Sequence, residues 1–179
     1  KTAYEIYQCD WSSDVCSSDL TKTVLADGTI QVDVHGYSKE AVSIRDLLDS
    51  DGDLMSRTVY DISGHVTSKS ILNSDGTIKA YHFATDGSGT STVYAAGSDS
   101  VIRTEKLGIA GIIAQSTDYT ASGYVQSSYT QGIISQSAEY DKNWAMTGSS
   151  SYYTDGTVKQ HSYKEDRKST RLNSSHTDI

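Results

Sequence analysis

Three Asp-Gly pairs, Asp27-Gly28, Asp51-Gly52 and Asp75-Gly76, stand 24 residues apart, and a chain punctuated this way has few folds open to it. Each pair favours a tight turn at positive φ, a conformation that glycine reaches without steric cost. Asp99-Ser100-Val101-Ile102-Arg103 continues the register of Asp75-Gly76-Thr77-Ile78-Lys79. The phase then slips by eight residues and resumes, with Gln131-Gly132-Ile133-Ile134 lying 24 residues before Asp155-Gly156-Thr157-Val158. Weaker turn signals fall halfway between, at Tyr37-Ser38-Lys39-Glu40, Ile62-Ser63-Gly64-His65, Asp86-Gly87-Ser88-Gly89, Ala110-Gly111 and Asp141-Lys142-Asn143. The working unit is therefore about 12 residues. A strand of roughly seven or eight residues spans ~25 Å at ~3.3 Å per residue, and a turn completes the unit.

Alternation agrees with this reading. Ile30, Val32 and Val34 face one way while Thr29, Gln31, Asp33 and His35 face the other; Val66, Ser68, Ser70 and Leu72 oppose His65, Thr67, Lys69 and Ile71. The stretch from Tyr60 to Phe83 also matches residues 140–163 without a gap, sharing Tyr60/Tyr140, Asp61/Asp141, Thr67/Thr147, Ser70/Ser150, Asp75/Asp155, Gly76/Gly156, Thr77/Thr157 and Lys79/Lys159. Shared positions at turns and at inward-looking residues are what a structural repeat requires. Between Ser38 and Asp49, Ser38 as an N-cap with Val42, Arg45, Leu47 and Leu48 on one face would make a helix. The 12-residue register instead makes it a strand, with Val42 and Ile44 alternating with Ser43 and Arg45. The expected fold is all-β: antiparallel hairpin repeats of about 24 residues in an extended meander or solenoid-like sheet. The absence of proline and the abundance of glycine, serine, threonine and tyrosine fit strands and turns better than helices.

The two ends read differently. Asp10-Trp11-Ser12-Ser13-Asp14-Val15-Cys16-Ser17-Ser18-Asp19-Leu20 and Asp166-Arg167-Lys168-Ser169-Thr170-Arg171-Leu172-Asn173-Ser174-Ser175 can be encoded by one DNA sequence read in opposite directions. That sequence resembles a short-read sequencing adapter, and Lys1-Thr2-Ala3-Tyr4-Glu5-Ile6 is similar to the translated primer outside it. One barcode satisfies both Ile6-Tyr7-Gln8-Cys9 and Thr177-Asp178-Ile179. Residues 1–20 and 166–179 are therefore expected to be translated adapter, leaving 21–165 as a piece of a larger protein. Both cysteines, Cys9 and Cys16, and the Asn173-Ser174-Ser175 acceptor motif fall outside that piece, so neither a disulfide nor glycosylation is read from them. Because the two flanking adapters are alike, the slip after Asp99 is also where a join between unrelated pieces would fall.

The 145-residue remainder is long enough to bury one domain-sized core. It carries eleven Lys and Arg against seventeen Asp and Glu, six net negative charges spread along the chain. That disfavours nucleic acid as a partner, which needs a basic patch to displace counterions. The longest apolar stretch, Leu107-Gly108-Ile109-Ala110-Gly111-Ile112-Ile113-Ala114, is far shorter than a membrane span.

Tyr60-Asp61-Ile62-Ser63-Gly64-His65-Val66-Thr67, followed by Ser74-Asp75-Gly76-Thr77, resembles the Tyr-Asp repeat of the Rhs/YD-repeat family. Tyr140-Asp141-Lys142-Asn143-Trp144 departs from that pattern in having Trp where the glycine belongs. The resemblance implies β-hairpins spiralling into a shell in a large bacterial protein, secreted or at the cell surface, whose partners are its own neighbouring repeats.

Few residues form a chemical constellation. Asp49-Ser50-Asp51-Gly52-Asp53 is the most site-like, since alternating carboxylates at a glycine turn can wrap calcium, yet Leu47 occupies the first EF-hand ligand position and no bidentate Glu follows. A solvated turn is the expected role of Asp49, Asp51 and Asp53. His35, His65, His82 and His161 form no compact ligand motif, and no Gly-x-Ser-x-Gly elbow or phosphate-binding glycine loop is present. No catalytic, cofactor-binding or metal residue is assigned, and no enzyme activity is expected of this segment. The tyrosines with Trp144 remain. Tyr60, Tyr81, Phe83 and Tyr94 are expected to make cross-strand pairs, while an exposed aromatic row would stack on glycan or cell wall.

Overall fold

The computed structural model describes residues 20–38, 41–163 and 175–178, with the side chains of 37–38 and 175–178 left aside. The adapter-like residues 1–19, 166–174 and 179 and the turn tip Lys39-Glu40 lie outside the described residues. Among the described residues every regular element is a strand, apart from a single 3-10 turn at Ile109–Gly111. The chain divides into two compact units after Leu72.

The first unit is a meander of β1 (Leu20–Val24), β2 (Ile30–Ser38), β3 (Ala41–Leu48), β4 (Leu54–Tyr60) and β5 (Val66–Leu72), each antiparallel to the next. Ala41–Leu48, within the stretch that offered a helix, is thus a strand. Asp33 lies opposite Arg45 and Val32 opposite Asp46, and a register shift falls between Val34 and His35. The second unit continues with β6 (Ile78–Phe83), β7 (Gly89–Tyr94), β8 (Val101–Leu107), β9 (Ile113–Thr120), β10 (Gly123–Thr130), β11 (Ile133–Asp141), β12 (Met146–Tyr152), β13 (Val158–Ser162) and β14 (Ser175–Asp178). These also pair in sequence order without a crossover. β14 comes from the stretch that the sequence reading assigns to adapter; its backbone joins the ladder at the edge, opposite Lys159–Ser162.

The self-match between Tyr60–Phe83 and residues 140–163 reappears as geometry. β5 and β12 begin and end at equivalent positions, 80 residues apart, and both start after a bulge, at Tyr60/Val66 and at Tyr140/Met146.

Eight turns among the described residues share one construction, seen at Leu25–Thr29, Asp49–Asp53, Asp61–His65, Asn73–Thr77, Ala84–Ser88, Gly108–Ile112, Asp141–Ala145 and Tyr153–Thr157. The first residue's N–H donates to the fifth's carbonyl, and the fourth's N–H donates to the first's carbonyl. At seven of the eight this is a type I turn closed by a residue of positive φ, while at Gly108–Ile112 the third residue, Ala110, also has positive φ, 63°. Aspartate serves it from either of two places. At the third position, Asp27, Asp75, Asp86 and Asp155 accept the fifth residue's N–H at 2.9 Å. At the first position, Asp49, Asp61 and Asp141 accept the N–H groups of both the third and the fifth residues. The phase slip has a structural counterpart in a change of turn. Ala121-Ser122 and Gln131-Gly132 are two-residue connections that shorten the spacing, Gln131 and Gly132 both having positive φ.

The length would allow a domain-sized core, but the described residues form none. Within each unit the strands touch their sequence neighbours, and no second layer covers either face among the described residues. Among the described residues Leu107, 7% exposed, is the one buried apolar side chain, while Ile109 and Ile112 of the same apolar stretch are exposed. The buried groups are otherwise polar: Asp33, Ser91, Glu105, Ser116 and Ser127. In an uncovered sheet, a side chain escapes water only when a longer neighbour on the same face lies over it, which favours small residues beneath large ones.

Candidate functional site

Register assigns each strand residue of the second unit to a face. One face carries the row Tyr81, Ser91, Glu105, Ser116, Ser127, Ser137 and Ser150, each directly opposite the next. Ser91 and Ser116 are each 1% exposed and Glu105 is 4% exposed, because cationic and aromatic side chains close over them. Glu105 accepts from Ser91 Oγ at 2.6 Å and pairs with Lys79 Nζ at 2.9 Å and Arg103 Nε at 2.8 Å. Arg103 also reaches Asp118 at 2.9 Å, and the Tyr129 hydroxyl sits 3.1 Å from Ser116 Oγ. Burial pushes the Glu105 carboxyl up, but the hydrogen bonds from Ser91, Lys79 and Arg103 outweigh it and hold the group below its ordinary range. This network spans β6 to β10. With every charge paired, it holds strands together and offers no free acid or base.

The first unit has two smaller versions. Arg45 forks onto Asp33 at 2.7 and 3.0 Å, and Arg57 onto Asp46 at 2.8 and 2.7 Å. The Arg45 hydrogen bond is the main reason that the Asp33 carboxyl lies low.

The opposite face of the second unit is aromatic at one end. Tyr119 pairs directly with Tyr124, and Tyr124 with Tyr140. The Tyr124 and Tyr140 rings stack at 4.6 Å and 7°, Tyr119 tilts against Tyr124 at 6.5 Å, and Trp144 meets Tyr124 at 5.1 Å and 58°. Desolvation, then Tyr140 and Tyr119, raises the Tyr124 hydroxyl's pKa. Two residues inward from the aromatic row, ~7 Å along the strands, a shallow groove of about 360 Å³ opens between β10, β11 and β12. Its lining includes Gln126, Ser128, Gln136, Met146, Ser149 and Tyr163, and no charged side chain.

Trp144 stands at the fourth position of its turn with φ 67°, where seven sister turns have glycine. A bulky residue in the left-handed region costs roughly 1–2 kcal/mol. Burial does not offset this, since the side chain is 74% exposed.

The remaining sequence candidates separate. Asp49 spends its Oδ1 on the N–H groups of Asp51 and Asp53, the arrangement also found at Asp61 and Asp141, so the turn accounts for the cluster. His35 lies 3.1 Å from Thr21 Oγ1 and His65 3.4 Å from Asp61 Oδ2; His82 pairs with Thr90 and His161 with Ser149 in the ladder. The four histidines sit on separate strands or turns. Tyr81 and Phe83 do stack, at 5.6 Å and 8°, but along one strand and not across two, with Lys79 over the Tyr81 ring at 5.1 Å. Sequence reasoning missed the Tyr119, Tyr124 and Tyr140 row because the Ala121-Ser122 turn carries no Asp-Gly. Placing that turn would have put Tyr119 opposite Tyr124 at once.

Fold and site together define a class, an uncovered antiparallel β-meander with a polar ladder on one face and an aromatic row on the other. Comparison with known proteins adds little to it. No protein-family model and no curated protein matches the chain. Among solved structures, the chain is similar to a mutant of S. aureus TarM in complex with Fondaparinux, alpha-GlcNAc-glycerol and UDP, at 13% identity and a TM-score of 0.29. The match covers 73% of this chain and 21% of that one, and at that score it carries no argument.

Proposed function

We propose that residues 21–165 are a structural repeat segment of a large bacterial protein, secreted or at the cell surface, similar to the Rhs/YD-repeat family and without catalytic activity of its own. The observation that carries this is the eight-fold reuse of one turn between antiparallel strands. Such a module extends by adding copies of itself, with neighbouring repeats as its partners. The Tyr60-Asp61-Ile62-Ser63-Gly64 match adds the family likeness, and residues 1–20 and 166–179, read as adapter, have no part in the role.

The test is to recover the DNA that flanks residues 21–165 in its source. In-frame continuation of Asp-Gly turns at the same spacing, with an export signal upstream, is the expected result. An unrelated catalytic domain folding around this stretch, or stop codons directly on both sides of it, would sink the reading. The row of Tyr119, Tyr124, Tyr140 and Trp144 favours a second reading, a module that binds glycan or cell wall through its aromatic face.

A further inference from the structure

We infer that the groove between β10, β11 and β12 is a binding site for an uncharged oligosaccharide, with Trp144 as its stacking platform; this rests on the second reading above. The first argument is the strained turn. Seven of the eight turns of this design place glycine at the fourth position, and only the turn beside the groove holds a tryptophan there. A left-handed tryptophan that buries little of its ring costs stability, and strain of this kind persists where the residue serves something other than the fold. Among the described residues the indole's one ring partner is Tyr124, met at a tilt, so an indole face remains open.

The second argument is how the rings are held. Tyr124 and Tyr140 stack on each other and act as a buttress, while Tyr119 and Trp144, both exposed, each meet the Tyr124 ring. The third is the chemistry of the groove. Met146, two residues beyond Trp144, lines its end, and the floor continues through Gln126, Gln136, Ser128 and Ser149. Primary amides and hydroxyls both donate and accept, which suits the mixed demands of sugar hydroxyls, while an indole face suits the C–H face of a pyranose ring. The lining has no cation to attract a phosphate, sulfate or uronate, so the ligand it fits is neutral.

The test is isothermal titration of the full chain with cellotetraose and with chitotetraose, repeated on Trp144→Gly and on Gln126→Ala. The parent chain is expected to bind at least one of the two with Kd of about 1 mM or tighter. Trp144→Gly should weaken that binding at least tenfold while its thermal unfolding and far-UV spectrum stay close to the parent's, because glycine suits the turn better than tryptophan. Gln126→Ala should weaken it as well. Binding that survives both substitutions unchanged would overturn the site while leaving a glycan-binding module standing. No binding of either tetrasaccharide would overturn both.

Discussion

At position 144 the backbone has one requirement and the side chain another. Positive φ asks for glycine, and the ring contact with Tyr124 asks for an aromatic. Comparing Trp144→Gly with Trp144→Ala separates the two, since both lose the ring and only alanine keeps a Cβ in the left-handed region. The glycine variant is expected to be more stable by about 1 kcal/mol in urea unfolding; equal stability would mean that the turn has relaxed out of positive φ. Two glycines inside the sheet are constrained by space. A Cβ on Gly89 would press into the His82 carbonyl, and one on Gly123 into the Tyr140 carbonyl, both backbone atoms that cannot move without opening a hairpin. Gly89→Ala should therefore cost about 2 kcal/mol or more. Gly97→Ala, with φ 64° but nothing within 4 Å, should cost nearer 1 kcal/mol. A reversed order in urea midpoints would show that torsional strain outweighs crowding. None of this was legible in the sequence at Gly89, where the glycine looked like part of the Asp86-Gly87-Ser88-Gly89 turn and proved to be the first residue of β7.

For strands and turns, the chain was most legible where aspartate and glycine fixed a turn chemically. Gly28, Gly52, Gly76 and Gly156 all close turns of one design, and the 12-residue beat they set made Ala41–Leu48 a strand against its partly helical pattern. It was least legible where side chains meet across strands, because a pair depends on the exact residue count of the turn between them. The Ser116 and Tyr129 hydroxyls, 3.1 Å apart, lie on strands joined by the unrecognised Ala121-Ser122 turn, and no pattern in either strand announces the contact. Similar latches link Ser137 to Tyr152 and Ser149 to Tyr163, each at 3.4 Å. The Ser116 latch should be asymmetric under mutation. Tyr129→Phe strands a hydroxyl that is almost fully buried and should cost about 1 kcal/mol, whereas combining it with Ser116→Ala removes both partners and should recover most of that loss. A strictly additive double-mutant cycle would show that the two hydroxyls do not interact.

Across the molecule, an uncovered sheet changes what stability depends on. A layered domain owes most of its stability to apolar burial. Here each unit relies on backbone ladders, side chains lying along the sheet, and carboxylates tied to donors. Those carboxylates shift together. Asp27, Asp61, Asp75, Asp86 and Asp155 are held low by hydrogen bonds to turn residues, and Asp33 by the bond to Arg45. Glu105 also lies low, its desolvation outweighed by Ser91, Lys79 and Arg103. A carboxyl whose pKa is depressed on folding favours the folded state fully above its ordinary value, 3.8 for these aspartates and 4.5 for Glu105, and loses that contribution as the pH falls through the depressed one. The urea midpoint should therefore stay level from about pH 7 to about pH 5 and fall steadily below about pH 4.5. Far-UV circular dichroism at a series of pH values would follow it. Arg103→Met, which leaves Glu105 with fewer donors, should lower the midpoint at neutral pH, by about 2 kcal/mol in stability, and make the acid loss of the second unit shallower. A midpoint that held its neutral value to about pH 2.5 would mean that apolar contacts along the faces, and not the charged ladder, keep these strands together.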